Sequence, residues 1–122
     1  MHRAVSHRIL NILGWGWVVA IVWLSLTPSP VEINIEQGDK LGHFAAYGLL
    51  MFWFGMLYRR ALTRLAYAIG FCGMGIALEY AQRMTGYRTF DVDDMLANAI
   101  GVLLGFMVAT ALQHRFKWTI TA

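Results

Sequence analysis

Four long stretches of this 122-residue chain are apolar and almost free of charge, and each is long enough to cross a hydrocarbon core as a helix. They run over residues 9–26, 41–58, 65–81 and 94–112. With 58% of its residues hydrophobic and only 14% charged, the chain falls well outside the balance of a soluble protein. The expected fold is all-α: one membrane domain over residues 1–122, a bundle of four transmembrane helices. The formal charge of +3 and a pI near 9.4 do not point to nucleic acid, because Lys and Arg cluster at the ends of the apolar runs, where they signal topology.

Arg3 and Arg8 precede the first run, which is long for a signal peptide and lacks a small-x-small cleavage site behind it. Pro28 and Pro30 end that helix, since proline lacks an amide donor and disfavours helical geometry in the residue before it. The segment from Val31 to Gly38 carries Glu32 and Glu36 but no basic residue, whereas Arg59, Arg60 and Arg64 form the most basic short loop. By the positive-inside rule the arginine loop, the N-terminus and the His114 to Lys117 tail are cytoplasmic, so both termini lie inside. Trp15, Trp17 and Trp23 fit either interfacial anchoring or helix packing. The lone Cys72 has no thiol partner and reads as packing, as do Met51, Phe52 and Phe54.

Charge at the outer ends of the apolar runs is the exception to this pattern. Helical spacing puts Asp39 or Lys40, His43 and Tyr47 on one stripe at the start of the second run. Glu79 and Gln82 share a face at the end of the third, and Asp94 and Asn98 share one at the start of the fourth, behind Arg88 and Asp91. An ionisable group below the water boundary is costly unless paired or wetted, so these placements point to function. His43, Asp91 and Asp94 are candidate acid, base or orienting groups. Asp39, Lys40, Tyr47, Glu79, Gln82, Arg88 and Asn98 are candidate binding residues. The bland alternative is that the polar groups cap helices and bond across the bundle, with Tyr47 and Tyr80 as interfacial anchors and Arg88 on a lipid phosphate.

His43 with Asp39, Glu79, Asp91 and Asp94 could supply metal ligands, but no HxxxH, HExxH or cysteine pair supports that, and carboxylates beside Lys40 and Arg88 are more simply ion pairs. No metal and no cofactor are expected. Neither a glycine-rich phosphate loop nor a Gly-x-Ser-x-Gly nucleophile is present. Gly101 and Gly105 form a GxxxG pair on the face that carries Asp94 and Asn98, and Gly70, Gly73 and Gly75 enrich the third run. Such residues permit close helix contact, within one chain or in a homo-oligomer.

Taken in order, Ser25-Leu-Thr-Pro28, Asp39-Lys40-x-x-His43-Phe-x-x-Tyr47, Glu79-x-x-Gln82 and Arg88-x-x-Asp91-x-x-Asp94-x-x-Ala-Asn98-x-x-Gly101 resemble the VanZ-like family. The resemblance covers nearly the whole chain, and the motifs gain specificity from their order relative to the four apolar runs. It implies a multi-pass protein of the bacterial cytoplasmic membrane; the founding member is associated with resistance to the glycopeptide teicoplanin, without a settled activity. Two functions compete. In one, Lys40 and Arg88 hold an anionic lipid or glycan head group while His43 moves protons. In the other, the chain is a non-enzymatic ligand-binding or scaffold subunit of a membrane complex. A small proton-coupled transporter is a third reading.

Overall fold

The computed structural model describes residues 2–27, 38–86 and 92–116, with side chains over 7–27, 40–86 and 92–115. Arg88 and Asp91 lie outside the described residues, as does the Asp39 side chain. Four helices run up and down in chain order: α1 (His2–Leu26), α2 (Gly38–Leu57), α3 (Ala61–Thr85) and α4 (Val92–Phe116). Every expected apolar run lies within one of them except for Tyr58, which follows the end of α2. Three of the helices are long and apolar enough to cross a membrane, within His7–Leu26, Ala61–Thr85 and Val92–Arg115.

Helix α2 is the fourth, and its first turns carry Asp39, Lys40 and His43, which lower its apolarity. Its position compensates for this. Leu50, Met51 and Phe54 are fully buried and Leu57 nearly so, because α2 packs against all three other helices and forms the centre of the bundle. Large apolar side chains of the other helices, such as Val19, Trp23, Leu62, Ile69 and Leu103, point outward, as the side chains of lipid-facing helices do.

Apolar side chains gain little by leaving lipid for one another, so close packing and hydrogen bonds must hold such helices together. The α2–α4 seam shows how. A Cβ on Gly101 would collide with the Phe44 carbonyl oxygen, and one on Gly105 with the carbonyl of Gly48. Backbones therefore touch, at a separation where Cα–H groups meet carbonyl oxygens. The GxxxG pair thus serves folding within one chain. Gly70 and Gly73 behave otherwise: nothing lies within 4 Å of where their Cβ atoms would be, so these two glycines do not bring another helix of the same chain close.

Helix α1 is held to α2 by two indoles that donate in opposite directions. Trp17 Nε1 donates to the Ala46 carbonyl at 3.1 Å, and Trp53 Nε1 to the Leu10 carbonyl at 2.8 Å. Trp15 packs edge-on against Phe54, with ring centroids 5.6 Å apart. Trp15 and Trp17 are thus packing residues. Gly86 closes α3 at φ 81°, a left-handed cap that a side chain would strain.

Candidate functional site

The start of α2, the end of α3 and the start of α4 come together at one end of the bundle. Asp94 stands in the first turn of α4, where an anion suits the positive end of the helix dipole. Across the seam, Lys40 Nζ lies 2.7 Å from Asp94 Oδ1, and His43 Nε2 lies 3.6 Å from Asp94 Oδ2. One turn deeper, His43 Nδ1 and Asn98 Oδ1 are 3.1 Å apart. The four side chains form one chain of contacts, Lys40 to Asp94 to His43 to Asn98. Because glycines bring the two backbones together just below, short side chains such as Asp and Asn can bridge α4 to α2.

These are not surface charges. Asp94 is 8% exposed, Asn98 3%, Glu79 1% and Gln82 2%. Gln82 Nε2 donates to the Ser25 carbonyl at 2.8 Å, satisfying one of the last carbonyls of α1, which have no partner within their own helix. Glu79 is engaged in its own polar contact and lies within electrostatic reach of Tyr47. Gly75, on the face of α3 that also carries Glu79 and Gln82, makes room for the others: a Cβ there would stand 3.0 Å from Asn98 Nδ2 and 3.4 Å from Tyr47 Cε2. The sequence signal for Gly75 as a site residue was its spacing, four residues before Glu79.

With Asn98 Oδ1 as acceptor, His43 Nδ1 is the donor of that contact. Asp94 faces both His43 Nε2 and the Lys40 ammonium. The imidazole is thus held at both ring nitrogens, beside a cation. Among the described residues, no three potential ligands converge on a metal position. Below the cluster, Leu50, Met51, Phe54 and Phe71 fill the bundle and separate it from the far end.

The far end holds a second polar network that the sequence reading did not anticipate. Arg64, expected in a basic surface loop, is only 6% exposed. Its Nη1 donates to the carbonyls of Tyr58, at 3.3 Å, and Arg59, and to Gln113 Oε1 at 2.8 Å. Gln113 Nε2 in turn donates to the carbonyls of Gly55 and, at 3.1 Å, Tyr58. Tyr58 OH donates to Asn11 Oδ1 at 3.1 Å. The available signals were Asn11 inside an apolar run and Gln113 at the end of another.

The VanZ/LLP1 family model matches residues 9–113. An uncharacterized protein of Schizosaccharomyces pombe is 32% identical over 124 residues, covering 94% of this chain and 70% of the relative. No solved structure matches the chain. The protein belongs to the VanZ/LLP1 family.

Proposed function

We propose that this VanZ/LLP1 protein is a multi-pass membrane protein that recognises an anionic lipid or glycan head group at the end of the bundle carrying Lys40, His43, Asp94 and Asn98. The observation that carries the reading is the Lys40–Asp94–His43–Asn98 chain itself, largely buried and set above an apolar plug. Such a group of charges is costly to assemble and is retained where it does chemistry. Lys40 offers a point charge to a phosphate, and His43 offers a proton to a hydroxyl or phosphate oxygen. Tyr47, Glu79 and Gln82 support the cluster, and Asp39, Arg88 and Asp91 are candidate further contacts for the head group.

The arginine distribution supports an orientation with this end on the outer side of the membrane, both termini in the cytoplasm and α2 as a fourth crossing. Introducing Cys at Glu36 or Arg60 in a Cys72→Ser background tests this orientation. Impermeant reagent on intact cells should label position 36 and spare position 60. A relative in fission yeast favours a head group common to all membranes over one confined to the bacterial wall. The family resemblance is what supports a bacterial cytoplasmic-membrane location and a link to glycopeptide resistance as part of this reading.

The direct test compares lipid retained by purified wild type with that retained by Lys40→Gln and His43→Gln, using native mass spectrometry. Loss of an anionic lipid from both stable variants supports the reading. Unchanged lipid in both variants refutes it in favour of a scaffold. The fully buried Leu50, Met51 and Phe54 favour a site open at one end over a transport path through the bundle.

A further inference from the structure

The turn between α2 and α3 gathers positive charge from three sources. Arg59 and Arg60 are exposed on a linker of only Tyr58, Arg59 and Arg60. Beneath them lies the buried guanidinium of Arg64, whose Nη1 holds the carbonyls of Tyr58 and Arg59. The third source is the N-terminus of α3 itself. Its N-cap, Arg60, has extended geometry (φ −71°, ψ 122°) and makes no side-chain cap, and the first turn has no acidic residue. The first N–H groups of a 25-residue helix thus point out of the bundle with no side-chain acceptor from the N-cap, at the positive end of the dipole.

No acidic side chain lies in the sequence between Asp39 and Glu79 to answer this charge. All seven acidic residues fall between Glu32 and Asp39 or between Glu79 and Asp94, in the other two connections and the helix ends that adjoin them. Arg8 and Arg115, both exposed, add to the charge at the arginine end. Arg64 also keeps a buried Nε without an acceptor among the described residues. Helix α4 shows the opposite solution, with Asp93 and Asp94 in its first turn. Backbone carbonyls and Gln113 answer the buried arginine, whereas the two exposed ones and the positive end of the α3 dipole favour an anion beside them.

We propose that this turn is a binding site for the phosphate of an anionic lipid, with Arg59 and Arg60 forking onto its oxygens and the first N–H groups of α3 pointing at it. Arginine suits this through its paired donors, and helix N-termini are ready acceptors of phosphate. Arg64 is the positioning residue that fixes the carbonyls of the turn and so aims Arg59 and Arg60. The site is independent of the cluster at the other end.

The full chain in neutral detergent is offered phosphatidylglycerol, phosphatidylcholine or inorganic phosphate, and bound lipid and thermal midpoint are measured. Wild type should retain phosphatidylglycerol in preference to phosphatidylcholine and gain stability from it. Replacing both Arg59 and Arg60 by Gln should cut that preference roughly thirtyfold, and either single replacement roughly fivefold, at the strength usual for arginine beside anionic lipid. Arg115→Gln, exposed at the same end but on α4, should keep most of it. Inorganic phosphate stabilising as well as the lipid would assign the turn to free anion and overturn the lipid source. Equal retention of the two lipids, or an undiminished preference in the single variants, would overturn the site.

Discussion

The two ends of the bundle both hide polar side chains, yet they satisfy them in different ways. At the Lys40 end, side chains pair with side chains, and the Asp94 carboxylate divides between Lys40 and His43. At the Arg64 end, a buried cation and Gln113 bond chiefly to backbone carbonyls around the end of α2. A carbonyl is part of the backbone, so Arg64 works as a clamp on the turn. A side chain has other rotamers and other partners, so the Asp94 cluster can exchange contacts with a ligand. The Arg64 network should be needed for folding and the Asp94 cluster for activity.

The largest effect should come from breaking the seam that both ends share. Gly101→Leu places a branched side chain against the Phe44 carbonyl and should destabilise the bundle by more than about 3 kcal/mol, disturbing both networks together. Thermal unfolding in detergent measures it, and an unchanged midpoint would mean that α2 and α4 do not touch as described. Next, Arg64→Gln removes the clamp and should cost about 2 kcal/mol, from lost charge-assisted bonds and a partly orphaned Gln113. Retained lipid at the Lys40 end should survive in the fraction that folds; if it is lost while stability is kept, the division between the ends fails.

Asp94→Asn is expected to cost about 1 kcal/mol of stability, since Lys40 still reaches water, and to abolish head-group retention. A variant that binds lipid normally would reduce Asp94 to a helix cap. The smallest stability change belongs to His43→Gln, under about 1 kcal/mol, with proton-dependent function lost all the same. A double-mutant cycle of His43→Gln with Asn98→Ala sharpens this. Its coupling should be at least about 0.5 kcal/mol if the 3.1 Å contact orients the imidazole, and near zero if the two side chains act separately.

Much of the polar end was legible from spacing. Lys40, His43, Asp94 and Asn98 stood out because charge and amides inside apolar runs are anomalous, and the three- and four-residue intervals put them on single helix faces. What spacing could not convey was which groups touch. His43 meets Asn98 and Asp94 because Gly48, Gly101 and Gly105 let two backbones meet, a distance that no single helix encodes. Spacing also could not tell Gly75, which meets Asn98 and Tyr47, from Gly70 and Gly73, which have no neighbour within 4 Å in this chain. Arg64 was misplaced for a related reason. An arginine after two others reads as solvated charge, and only the end of α2 folding over it supplies carbonyls enough to bury it.

Local patterns in the sequence by themselves determined the number of helices, their limits to within a turn or two, and the faces that carry polarity, because hydropathy and helical periodicity act over a few residues at a time. The tertiary structure decided that α2 is the central helix, since its polar first turns are answered by α4 and its apolar remainder packs against α1, α3 and α4. It also decided that one cluster is built of side chains sharing a carboxylate and the other of side chains gripping backbone. Those outcomes depend on distances between residues more than fifty positions apart, such as His43 and Asn98 or Gly55 and Gln113, and such distances are set only when the helices pack.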